Sequence, residues 1–263
     1  MRQVELSPGC VDTWPPRSTL DTQFEGVLSS SRWRAAASLS VFVGLFELRD
    51  WQAWVDDAYA VLDATESGRV RSRRSPTRRD QLALCYALHR LVLGRALHCD
   101  VASVPIGRDR AGCPRVAGGS LATSLSHADG CLAVAVSAAG PVGVDIESLA
   151  RAAVMPEIVE RLCHPADRAA MEALAEDERN QALLALWVRK EAFLKAIGIG
   201  LQREMQTFAA PDDAVLPRRG GVTSQVRMLD AGPHWVAAVA KPPGASVECV
   251  WLRPNGATAQ QWY

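Results

Sequence analysis

The chain has 263 residues, 48% of them hydrophobic and 22% charged, which is enough apolar content to fill the core of one large domain or two modest ones. Lys plus Arg and Asp plus Glu number 29 each, so there is no basic excess of the kind that marks a general nucleic-acid or membrane-surface binder. Seven cysteines, an odd number without a CxxC pair, argue against a disulfide framework and a thiolate zinc site and read as reduced thiols.

Residues 1–37 read as an irregular extension, with Pro8, Pro15, Pro16 and a run of Ser29, Ser30 and Ser31. Its first part holds charges and prolines rather than an apolar stretch, so no signal peptide is expected. No apolar run reaches the ~18–20 residues of a membrane helix. A soluble, cytoplasmic protein is expected. Residues 40–48 read as a buried strand, and Asp50 is expected to cap a helix bearing Trp51, Trp54, Val55, Ala58 and Leu62. A basic run from Arg69 to Arg79, broken by Pro76, leads into a helix over 80–97 with Leu82, Cys85, Leu88, Leu91 and Val92 on one stripe. Residues 107–119, rich in Gly, Pro and Arg, are expected to form a loop. Ser124 to Asp129 is a second, Ser-rich loop. Strands follow at 132–136 and 142–147, then a helical region over 156–197, then strands at 225–229, 235–240 and 247–252. The two halves have similar content and meet near residue 140. The expected class is α+β, with two similar lobes at 38–139 and 140–263.

Asp145 and Glu147 are one residue apart at the end of a strand, so period two turns both to one side. Such a pair is either two solvated acids or a seat for a cation, since two carboxylates are costly together without one. On the helix ending at Gly198, Trp187, Glu191 and Lys195 fall on one face at i, i+4 and i+8. A surface Glu–Lys pair explains the last two, and so does a partly buried Glu at the mouth of a pocket; a Trp is an odd neighbour on a purely solvated face. His127, between Ser126 and Ala128, is either structural or a donor to a phosphate oxygen.

The order of four motifs carries a resemblance. Gly112-Cys113-Pro114 is followed by Ser126-His127, then by Gly143-Val144-Asp145-Ile146-Glu147. Then comes Trp187-Val188-Arg189-Lys190-Glu191-Ala192-Phe193-Leu194-Lys195, ending in Gly198-Ile199-Gly200-Leu201. Over residues 66–210 this resembles the Sfp-type 4′-phosphopantetheinyl transferases. The resemblance implies a pseudo-dimer of two α+β lobes in one chain, with coenzyme A in the cleft between them. It implies Mg²⁺ on Asp145, Glu147 and Glu191, with Glu191 also the base for the acceptor serine. It implies Lys195 on the pyrophosphate and as proton donor to the leaving group, His127 at the phosphates, Ser126 at the adenine end, and Arg78 and Arg79 at the 3′-phosphate. The reaction implied is transfer of phosphopantetheine from coenzyme A to a serine of an apo acyl or peptidyl carrier protein, releasing 3′,5′-ADP. The enzyme is expected to be a monomer with no nucleic-acid or membrane partner. Two departures stand out. Cys113 replaces the lysine usual in the Gly-Lys-Pro loop, leaving Arg115 or Arg110 to serve the phosphate, and Ala128 replaces the serine usual after the histidine. These departures favour the alternative, an inactive module that binds coenzyme A or carrier proteins; the intact acids and Lys195 oppose it.

Overall fold

The computed structural model describes residues 19–30, 40–109, 112–119, 121–172, 174–199, 203–217 and 222–254. Cys10, the three N-terminal prolines, Ser31, Arg110, Gly200 and Leu201 lie outside these residues.

The architecture is α+β. One four-stranded sheet has the order β10 (Ser246–Trp251), β1 (Ser40–Glu47), β5 (Cys131–Ser137), β4 (Ala122–Ala128). The other has the order β6 (Gly143–Ser148), β9 (Trp235–Lys241), β8 (Thr223–Leu229), β7 (Val215–Pro217). Period two decides how they pack. Val41, Val43 and Leu45 of β1 and Cys131, Ala133 and Ala135 of β5 share a core with Val144, Ile146, Ala237 and Val239 of the second sheet. The alternate residues, among them Phe42, Phe46, Leu132, Val134 and Val136, face the other way into a core with α5 (Pro76–Leu97). Ala238 and Ala240 likewise face a core built on α8 (Glu176–Ile197). The layers therefore run helix, sheet, sheet, helix.

Local signals set the helix ends. Ser75 accepts a hydrogen bond from the Arg78 N–H, and Pro76 occupies the first turn of α5, where its missing donor costs nothing. Gly198, at φ 71°, takes the left-handed position that ends α8. Short helices α2 (Leu48–Trp51), α3 (Val55–Ala60) and α4 (Ala64–Arg71) precede α5. Buried Arg90 ties α5 to the start of α4 through Glu66, at 2.6 Å, and Asp63, at 2.7 Å. Two further short helices, α6 (Val159–Leu162) and α7 (Pro165–Glu172), precede α8.

Several expectations change. The extension expected to be irregular over 1–37 contains α1 (Leu20–Ser30). Leu20, Phe24, Val27 and Leu28 recur at helical spacing and are buried, with Phe24 against Phe46 and Trp51. Glu47, not Asp50, stands before the helix at 48, and that helix is broken by a 3₁₀ turn at Gln52–Trp54. The loop expected over 107–119 contains a hairpin, β2 (Ile106–Arg108) paired with β3 (Pro114–Val116). The Ser-rich loop is the strand β4, in register with β5. The strand β7 had no counterpart in the sequence reading. The chain also recrosses the division expected at residue 140, because β10 pairs in parallel with β1, Val43 opposite Cys249.

Candidate active site

The two sheets meet along the edge strands β4 and β6. Ser124 Oγ accepts from the Val144 N–H at 3.2 Å, and two residues on, Ser126 Oγ donates to Asp145 Oδ1 at 2.7 Å. Both serines point to the same side of β4, so the hydroxyls stitch one edge to the other.

Since Val144 and Ile146 face the first sheet, Gly143, Asp145 and Glu147 face α8. Gly143 lets the helix in. A Cβ there would stand 2.0 Å from the Ala192 carbonyl oxygen and 2.5 Å from the Ala196 nitrogen. With α8 this close, Lys195 reaches β6. Its Nζ donates to Asp145 Oδ1 at 2.6 Å and to the Val144 carbonyl at 3.1 Å. Asp145 is 3% exposed, and its Oδ2 is buried with no partner among the described residues. Glu147 pairs with Arg151, whose guanidinium lies 4.8 Å over the Trp187 ring.

Glu191 sits one turn before Lys195 on α8. Burial, followed by the charge of Asp145, pushes its carboxyl up to about 7; Lys195 opposes this and Glu147 adds to it. Burial also raises Glu147, against its bond to Arg151. His127 is pushed down by burial, then by Lys195 and Arg73, which favours the neutral imidazole. The Cys113 thiol, on the turn between β2 and β3, is raised by burial and by Asp109, with Arg115 and Lys195 opposing. The hairpin therefore lies beside Lys195, and Arg115 pairs there with Asp109 at 2.7 Å, against Gly198.

Asp145, Glu147, Glu191, Lys195 and Ser126 thus gather at one seam, and the charge of Lys195 reaches His127, which is exposed on β4. Arg78 and Arg79 stand in the first turn of α5, where Arg78 is exposed and the charge of Arg79 falls on Tyr59. Two other members of the basic run come nearer. Arg73 acts on His127, and an Arg69 Nη lies 3.8 Å from where a Gly112 Cβ would be. The run was the only sequence signal for them, and nothing in it singled out these two. Lys190, within the same motif as Lys195, turns away. It is fully buried and donates to Asp167, Leu162 O and Met205 O.

Among the described residues no three His, Cys, Asp or Glu side chains converge to hold a metal by themselves. The donor set nonetheless fits Mg²⁺, which takes one or two carboxylates and completes its shell with phosphate oxygens and water. The orphaned Asp145 Oδ2, with two further crowded carboxyls beside it, is a place where a hard cation relieves a cost.

Residues 141–247 match the model of the 4′-phosphopantetheinyl transferase superfamily. The 4′-phosphopantetheinyl transferase HetI of Nostoc sp. is 24% identical over 195 residues, 72% of this chain and 82% of that protein. A 4′-phosphopantetheinyl transferase of Bacillus subtilis is 26% identical over 161 residues, 56% and 70% of the two chains. A solved holo-(acyl-carrier-protein) synthase from Bacillus anthracis str. Ames, in complex with CoA (3′,5′-ADP), aligns at a TM-score of 0.28 and 20% identity, over 38% of this chain and 92% of that one.

Proposed function

We infer that this chain, which belongs to the 4′-phosphopantetheinyl transferase superfamily, moves the phosphopantetheine arm of coenzyme A onto a serine of an apo acyl or peptidyl carrier protein. The observation that carries the reading is the seam: a buried aspartate held by Lys195 and Ser126 with one oxygen unengaged, beside a glutamate raised to about 7. A charged phosphate chain needs such neutralisation, and an attacking hydroxyl needs such a base.

In this reading the chain is a pseudo-dimer of two lobes, 38–139 and 140–263, with β10 returning to the first, and coenzyme A lies between them. Asp145, Glu147 and Glu191 would hold Mg²⁺ together with phosphate oxygens and water, and the ion would supply charge neutralisation at the pyrophosphate. The serine hydroxyl attacks the β-phosphorus as Glu191 takes its proton. The bond to the 3′,5′-ADP oxygen breaks, and Lys195 offsets the charge left there. Lys195 holds the pyrophosphate only by loosening its pair with Asp145. His127, exposed on β4 and favoured in its neutral form, donates to a phosphate oxygen. We assign the 3′-phosphate to Arg73 and Arg69 ahead of Arg78 and Arg79, because their charge lies nearer His127 and the hairpin. Arg115 serves the phosphates only if Asp109 gives it up. We place the carrier domain against residues 151–168, where Arg161 and the half-exposed Val154 face solvent, although the segment carries as many acids as arginines. We expect a monomer, with no nucleic-acid or membrane partner; among the described residues no helix is long and apolar enough to cross a membrane.

The test is incubation with coenzyme A, Mg²⁺ and a panel of apo carrier proteins, followed by intact-mass measurement of the carriers. Glu191→Ala and an EDTA sample run alongside. A gain of one phosphopantetheine mass, lost in both controls, is expected. Coenzyme A binding without transfer to any carrier would leave a binding module instead.

A further inference from the structure

We propose that Ser126 is a positioning residue for Asp145, holding one carboxylate oxygen so that the other is offered to the cation. The proposal rests on the metal reading given above, and it replaces the adenine contact that the resemblance implies for this serine.

Three observations carry it. Ser126 is 9% exposed, and its hydroxyl is given to Asp145 Oδ1 at 2.7 Å across the seam between the sheets. The donor comes from a strand that is itself pinned, because Ser124, two residues earlier, binds the backbone one residue before Asp145. The hydroxyl therefore reaches the carboxylate from a fixed backbone on both sides. Lastly, Oδ2 has no partner among the described residues although it is buried. A carboxylate gripped at one oxygen cannot rotate freely to exchange the two.

Lys195 also grips Oδ1, at 2.6 Å, but it is a long side chain with a second duty at the phosphates. Ser126 holds that oxygen with or without substrate, and once Lys195 turns to the phosphates it is the remaining donor there among the described residues. A neutral hydroxyl suits the task. It orients the carboxylate without adding a positive charge that would compete with the metal, and such supporting hydrogen bonds are a general feature of metal-ligating carboxylates.

The test compares wild type, Ser126→Ala and Ser126→Thr. Mn²⁺ affinity is read by electron paramagnetic resonance without nucleotide. Binding of 3′,5′-ADP is read by calorimetry in EDTA, and folding by thermal unfolding in EDTA. Loss of a supporting partner generally weakens metal binding by ~10–100-fold, so Ser126→Ala should lower Mn²⁺ affinity about tenfold or more, with Ser126→Thr restoring most of it. Nucleotide binding without metal should be unchanged in both. Should alanine loosen the seam, Ser126→Cys, which keeps the volume without a strong donor, carries the same expectation. Unchanged Mn²⁺ affinity in a folded Ser126→Ala protein overturns the proposal. So does weakened 3′,5′-ADP binding with Mn²⁺ affinity intact, which would return Ser126 to the adenine. Wild type that binds neither Mn²⁺ nor coenzyme A would instead overturn the metal reading beneath it.

Discussion

Among the described residues no hydrogen bond holds Glu191 ionised; burial and two neighbouring acids, against the charge of Lys195, set its proton affinity. Its ordinary value is 4.5 and in the folded chain it lies at about 7. A raised carboxyl means that the folded state binds the proton more tightly than the unfolded chain. Its contribution to stability is therefore fully present below 4.5 and is lost as pH rises through 7. In metal-free protein, urea unfolding from pH 4.5 to 7.5 should show a loss on the order of 3 kcal/mol that Glu191→Gln does not show. If Mg²⁺ binds as proposed, adding it should shrink the difference. The two lysines of the same helix make a second comparison. Lys190→Met leaves Asp167 buried without its cation and should cost about 3–5 kcal/mol in denaturant unfolding. Lys195→Met also takes the cation from a buried carboxylate, but Lys195 is partly open to solvent and Ser126 stays on Asp145, so its cost should be smaller, about 1–3 kcal/mol. It should lose transfer by roughly 10²–10³-fold in a carrier-modification assay.

The pair of β6 and α8 is the element that makes the site possible. Gly143→Ala would place a methyl group into the backbone of α8 at Ala192 and Ala196, where no side chain can yield. The helix must withdraw from the strand, taking Glu191 and Lys195 from Asp145. We expect transfer to fall by at least about tenfold, because an ångström of misplacement at a reacting centre is costly. Carrier modification and coenzyme A calorimetry would read it, with circular dichroism to show that the helices persist. This element was largely legible in the sequence. An apolar run ending in acids at alternate positions, and a helix stopped by Gly198, are local signals that tertiary contacts had no reason to override. The segments that escaped were polar or short. β4 is written Ala-Thr-Ser-Leu-Ser-His-Ala, and its strand character comes from lying beside β5, not from its own residues. α1 was hidden among prolines and serines because Phe24 packs on residues far along the chain, among them Phe46 and Trp51. The bond between Ser126 and Asp145 joins strands of different sheets, and no spacing rule announces that.

At the scale of the molecule, the two sheets are not two separable halves. β10 is hydrogen-bonded to β1 from Ser40 to Leu45, and the Leu252 N–H continues to the Leu45 carbonyl at 2.8 Å. Leu252 is wholly buried beneath Trp51, whose indole donates to the Leu252 carbonyl. A chain cut after Lys241 should therefore lose the first sheet as well as its own last strand, and size-exclusion chromatography should find it aggregated. Cutting at residue 140 should likewise yield no folded N-terminal piece. The same pairing has a consequence during synthesis. β1 is among the early strands to leave the ribosome and β10 is the latest of those described, so the edge of β1 waits through the translation of about two hundred residues without its neighbour. An unpaired apolar edge is a template for the wrong partner. A nascent chain of this kind should depend on holdase chaperones until its closing strand arrives, and slowing translation late in the message should raise the aggregated fraction.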